Sequence, residues 1–131
     1  MNAKTNTGSA RDAAMAVRRK VLGDEHVDRA EAARTGFDAP FQDLIVDAAW
    51  GRVWSGAHWS LRQRSCVTLA LLAALGHWEE FAMHVRATAR TGATADDIRE
   101  TLMHVAVYAG VPAANHAFKI ARQTLAAMGE D

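Results

Sequence analysis

Cysteine is almost missing: the 131 residues contain one, Cys66. A single thiol excludes an internal disulfide framework and any CxxC redox or zinc motif. Net charge is missing too, because fifteen basic residues balance fifteen acidic ones. A neutral chain offers no electrostatic footprint for nucleic acid or an anionic membrane, so neither is expected as a partner. Long apolar runs are also lacking. The longest, Cys66 to Leu75, is interrupted by Thr68 and is about half the ~20 residues a membrane span needs. Met1 to Ser9 is polar, without a hydrophobic signal core, and a soluble cytoplasmic protein is the expectation. No segment carries a convincing period-2 strand pattern. High alanine with modest β-branched and aromatic content leans toward helix.

Half of the residues are apolar, enough for one core in a chain of single-domain length. Residues 1–9 read as a disordered tail, and residues 10–131 as a single domain. A first helix spans 10–22 and stops at Gly23. Asp24 to Asp38 is charged and partly helical. Pro40 opens a helix whose Phe41, Leu44, Ile45, Ala48 and Ala49 recur at helical spacing to near Gly56. Ser60 with Gln63 forms a capping box ahead of the apolar run, and Gly76 closes it. That helix is apolar all round, which predicts a central, buried position. Trp78, Phe81, Ala82 and Val85 share one face of the next helix, up to Gly92. Thr94 with Asp97 caps a helix carrying Ile98, Leu102, Val105, Ala106 and Ala109 on one face. Gly110 ends it, and Pro112 opens the last helix, to about Met128. The expected fold is all-α, with about six helices. Trp50, Trp54 and Trp59 cluster near a helix end. They serve subunit contacts or the core, since a small monomer covers so many with difficulty.

Three groups of side chains suit chemistry. His77, Glu80 and His84 fall within roughly 60° of one another on one helix. Histidine titrates near neutral pH and suits proton transfer, and a carboxylate orients or charges it. The same stripe reads equally as an exposed polar face with one satisfied histidine. Thr101, His104 and Tyr108 make a second stripe in a nearly apolar segment. A buried His104 needs a partner, and Tyr108 is in reach. A structural His–Tyr contact is the alternative. Arg62 and Arg64 begin the apolar helix roughly 200° apart, so they cannot both face one pocket. One suits an anionic substrate, because the guanidinium fork pairs with both carboxylate oxygens; two solvated helix-end charges is the alternative. Cys66 reads as a small buried hydrophobe. The paired Glu-x-x-His pattern of di-metal bundles is absent, and no metal is expected.

RRKVLGDEHVDRA (18–30), FDAPFQDLIVDAAWGRVW (37–54), LRQRSCVTLALLAALGHWEE (61–80), HVRATARTGATADDIRETL (84–102) and HVAVYAGVPAANHAFKIA (104–121) carry a resemblance. These segments resemble the decarboxylase branch of the carboxymuconolactone decarboxylase family, over nearly the whole chain after residue 9. The wider superfamily includes AhpD-type alkylhydroperoxidases, with a CxxC pair followed four residues later by a histidine. The matching positions here are His77, Glu80 and His84. Disulfide-based peroxide chemistry needs an attacking and a resolving thiol, and this chain has no such pair.

The resemblance implies an AhpD-like helical fold and a homo-oligomer, hexamer or trimer. It also implies decarboxylation of 4-carboxymuconolactone to the β-ketoadipate enol-lactone in protocatechuate breakdown, without metal or organic cofactor. The alternatives are a divergent member acting on another lactone or in oxidative stress without CxxC chemistry, and a non-enzymatic oligomer. For the decarboxylation, Arg62, or else Arg64, is expected to hold the acetate arm of the substrate. His84 or His104 acts as general acid, and the other donates with Tyr108 to the lactone oxygen. Glu80 orients or charges His84, and His77 joins the substrate-binding set. Trp50 and Tyr108 wall the pocket, and Asn115, near a helix N-terminus, adds a donor.

Overall fold

The computed structural model describes residues 3–129, with side chains from Gly8 onward. The described residues form seven α-helices and one π-helical segment, with no strand. None of these helices is long and apolar enough to cross a membrane. They divide into two compact units, residues 1–58 and 59–131.

The first unit holds α1 (Ala3–Leu22), α2 (Asp24–Ala33), α3 (Ala39–Ile45) and the π segment (Val46–Val53). Helical backbone begins at Ala3, where the sequence reads as a disordered tail; Met1 and Asn2 lie outside the described residues. Extending an existing helix adds one hydrogen bond per residue fixed, so alanine-rich 10–16 can propagate backwards through polar residues. Gly23 stops α1 at φ 89°, a left-handed conformation that costs glycine little. The helix expected from Pro40 to Gly56 is divided. α3 gives way to a segment closed by i→i+5 bonding, with Trp54 N–H donating to the Ala49 carbonyl at 2.8 Å. Its Trp50 and Trp54 are buried and stacked, with ring centroids 5.4 Å apart. α1 packs against this segment and α2. Gly51 lies close to α1 there: a Cβ would meet the Ala14 Cβ and the Val46 carbonyl at 3.4 Å, a close but ordinary contact.

Charge ties the first unit together. Arg11 donates to Asp43 at 2.6 Å and to Asp47 at 3.0 Å, and Arg34 donates to the same Asp43 oxygen. Arg18, only 7% exposed, donates to Glu31 at 2.9 Å.

The second unit holds α4 (Leu61–Leu75), α5 (Trp78–Thr91), α6 (Ala95–Tyr108) and α7 (Val111–Ala127). Both capping boxes form. Gln63 N–H donates to Ser60 Oγ at 3.1 Å, and Asp97 N–H to Thr94 Oγ1 at 3.1 Å. Gly76 and Gly92 terminate α4 and α5 in the left-handed region. The core gathers Leu69, Phe81, Val85, Ile98, Leu102 and Val105 with alanines of α4 and α7. Ser65 and Thr91 satisfy each other inside it, at 2.6 Å.

The all-round burial expected of α4 does not occur. Ser65, Leu69 and Ala73 are buried, whereas Val67, Leu71 and Leu75 are open, Leu75 by 67%. In a unit of four helices each packs mainly one side inward, so an all-apolar helix keeps an uncovered apolar face.

Candidate active site

Two helix starts build a cleft at the N-terminal ends of α4 and α6. The Ser60 cap fixes the first turn of α4, which carries Arg62, with Cys66 one turn further on. The Thr94 cap fixes the first turn of α6, which carries Asp97. Arg62 Nε donates to Asp97 Oδ2 at 2.7 Å, and Arg62 Nη2 to Asp97 Oδ1 at 2.9 Å. This is a side-on, bidentate pair across 35 residues of sequence. Asp97 Oδ2 also accepts the Thr94 backbone N–H at 2.9 Å, so the cap holds the carboxylate. The Arg62 hydrogen bond keeps the Asp97 carboxyl well below the usual carboxylate range, helped by that N–H. In return Asp97 raises the Arg62 guanidinium above its ordinary value. The cleft holds about 650 Å³ and is lined by Trp59, Arg62, Gln63, Cys66, Val67 and Asp97 among others. That volume suits a small organic ligand.

Along α6, the residues Asp97, Thr101, His104 and Tyr108 recur at i, i+4, i+7 and i+11, a stripe roughly 60° wide. The His104 and Tyr108 rings lie near-parallel, with centroids 6.5 Å apart. Both rings are exposed, Tyr108 by 86%. With Glu100, Met103 and Val107 they line a shallow hollow of about 240 Å³. The burial expected of His104 is therefore overturned. Ile98, Leu102 and Val105 take the inward side of α6, and position 104 lies roughly 100° or more from each of them.

A family model of the carboxymuconolactone decarboxylase family matches residues 39–123. The chain belongs to that family. It is 41% identical over 113 residues to the 4-carboxymuconolactone decarboxylase of Acinetobacter baylyi, covering 86% of this chain and 84% of that one. It is 38% identical over 114 residues to the nitrosuccinic acid decarboxylase of Metarhizium robertsii, covering 87% and 80%. A 4-carboxymuconolactone decarboxylase of Pseudomonas putida matches over 40 residues at 50% identity, 30% of this chain and 83% of that one.

In this family member the expected site residues do not share one hollow. His84 is buried on α5, 7% exposed, beside Phe81, Val85 and Thr88. His77 occupies the N-cap position of α5 without a side-chain capping bond, and Glu80 lies in the first turn; both are exposed. The stripe of three thus runs from a buried position at His84 to solvated positions at His77 and Glu80, while Trp78 of the same first turn packs on the core. Arg64 is half-buried, and its Nε lies beneath the surface with no hydrogen-bond partner among the described residues. Trp50 is buried against Trp54 within residues 1–58, so its ring is engaged in packing. Asn115 is exposed on α7, next to His116, which stacks on Trp78 at 4.4 Å. Cys66 is half-buried and borders the cleft instead of sitting in the core. In the sequence, Asp97 reads only as a cap. Its partner Arg62 lies outside any local window, so no short-range signal points to the pair.

Proposed function

We propose that this protein is a cofactor-independent decarboxylase converting 4-carboxymuconolactone to the β-ketoadipate enol-lactone. What carries the reading is likeness to two decarboxylases over most of the chain, together with a guanidinium in a cleft of about 650 Å³. The two substrates in those names share a logic. Each is a dicarboxylate in which one carboxylate leaves a carbon joined to an electron acceptor, a conjugated lactone or a nitro group. A second carboxylate remains as a handle.

For the lactone, the C–CO2 bond breaks and its electron pair moves through the ring double bond onto the lactone carbonyl. A proton then reaches the ring carbon beside that carbonyl, leaving enol-lactone and CO2. The ring is its own electron sink, so no pyridoxal or thiamine is required. In our reading Arg62 holds the acetate arm. His104 supplies the proton, and Tyr108 donates to the oxygen where charge builds. His104 is favoured over His84 because it is exposed on the α6 stripe that begins at Asp97, roughly 10 Å further along the axis. Arg64, His77, Glu80, Trp50 and Asn115 have no contact here that supports a direct role.

The open apolar side chains Val67, Leu71 and Leu75 on α4, with Met103 and Val107 on α6, support a homo-oligomer, hexamer or trimer. Light scattering on purified protein tests that; a monomer at micromolar concentration refutes it. A cytoplasmic location belongs to the same reading, and no helix among the described residues is long and apolar enough to cross a membrane.

The test of function is direct. Purified protein should consume 4-carboxymuconolactone and release one CO2 per lactone, with no added metal or coenzyme. No release refutes the proposal. The fungal relative supports a second reading, decarboxylation of a nitro-substituted dicarboxylate. Turnover of nitrosuccinate with the lactone untouched selects it.

A further inference from the structure

The Arg62–Asp97 pair has an asymmetry that bears on substrate recognition. A guanidinium offers two edges, one formed by Nε and Nη2, the other by Nη1 and Nη2. Asp97 occupies the first edge with both carboxylate oxygens. Nη1 has no hydrogen-bond or ion-pair partner among the described residues. Asp97 is itself fixed, because its carboxylate accepts the Thr94 N–H and its own N–H donates to Thr94 Oγ1. Its side chain is 19% exposed, against 57% for Arg62. A long, exposed side chain is thus anchored at one edge by a short, capped one, at a cleft that both line.

We infer that Asp97 is a positioning residue: it presents the Nη1 edge of Arg62 to a ligand carboxylate without itself touching the ligand. This rests on the decarboxylase reading and adds to it a second residue that sets affinity.

Two opposed effects decide the sign of removing Asp97. Its negative charge, roughly 6 Å behind the bound carboxylate in a water-exposed cleft, repels the ligand by about threefold in affinity. Salt weakens this further. A freed arginine must lose its rotamer freedom on each binding event, which costs up to roughly thirtyfold. Positioning therefore outweighs repulsion, and ligand binding should weaken when Asp97 is neutralised.

The probe is muconolactone, which keeps the acetate arm and lacks the carboxylate that leaves. Calorimetry on the full chain should show Asp97→Asn binding it roughly fivefold to tenfold more weakly than the parent protein. In 4-carboxymuconolactone turnover the KM of Asp97→Asn should rise by a similar factor, with kcat within about twofold, since the effect lies in binding. Arg62→Ala should lose binding more deeply than Asp97→Asn. Thr94→Ala removes the hydroxyl that accepts the Asp97 N–H but keeps the Thr94 backbone N–H on the carboxylate, so it should lower Tm and weaken muconolactone binding less than Asp97→Asn does. Muconolactone binding that is unchanged or tighter in Asp97→Asn overturns the inference. So does an equal loss in Thr94→Ala, which assigns the effect to the cap, and so does a parent protein that does not bind the probe. Intact binding that responds to Asp97→Asn, with no CO2 released, supports the anion site and refutes only the assigned reaction.

Discussion

In residues 1–58 the helices are tied by Arg11, Arg18 and Arg34 reaching Asp43, Asp47 and Glu31. In residues 59–131 they close over Leu69, Phe81, Val85 and Leu102, with a single ion pair bridging two helix starts. The ion pairs of the first unit, most of them partly exposed and weakened by salt, supplement a small apolar layer of Val21, Val27, Val46 and Trp50. The second rests on complete apolar burial, roughly 1.5–3 kcal/mol per large side chain. A site that must hold a carboxylate and a proton donor in register is better served by the second. The cleft with Arg62 and the α6 stripe with His104 both lie on that unit.

The largest expected effect separates chemistry from scaffold. His104→Ala should lower kcat by roughly 10²–10⁴, as loss of a general acid does. Arg11→Ala, in the other unit, should leave kcat near its parent value. Steady-state kinetics on both variants checks this, and near-normal turnover by His104→Ala would remove the proton donor from our mechanism. The next effect is on stability. Phe81, fully buried, should cost about 3–5 kcal/mol when replaced by alanine. Denaturant unfolding reads it, and a loss below about 1 kcal/mol would contradict the core described here. A middle-sized effect belongs to the first unit. Glu31→Gln leaves the nearly buried Arg18 with a neutral partner and should cost about 1.5–3 kcal/mol, as loss of a charged hydrogen bond does. A cost no larger than that of Arg11→Ala would mean that burial adds nothing to this pair.

The smallest effect concerns pH. Arg34 and Arg11 hold the Asp43 carboxyl below its ordinary range. The unfolded chain therefore binds more protons in acid than the folded one does, and stability rises with pH through that window. The contribution is complete above about pH 5 and fades as pH falls below about 4. Thermal melts at pH 6 and pH 3 should show a smaller drop for Asp43→Asn than for the parent protein. Equal drops would show that Asp43 does not carry the acid sensitivity.

Much of the second unit was legible in advance. Ser60–Gln63 and Thr94–Asp97 announced their helix starts, and Gly76 and Gly92 their stops. The spacing of Phe81 and Val85, and of Ile98, Leu102 and Val105, named inward faces. The π segment was not legible, because Pro40 and the following apolar spacing fit an ordinary α-helix, and the widened turn appears only in the Trp54-to-Ala49 bond. The apolar run of α4 says that both sides avoid water, not which side stays uncovered. His104 misled for a related reason. Its neighbours in sequence are apolar, yet its own direction from the helix axis points outward.

Helix content, caps and inward faces were determined by the sequence alone, since each depends on residues within about four positions of one another. Only the tertiary structure decided that Arg62 meets Asp97, 35 residues away. It also decided that His84 is buried while His104 is exposed. Those outcomes follow from which helix lies beside which, and packing of whole apolar faces settles that where no local pattern reaches.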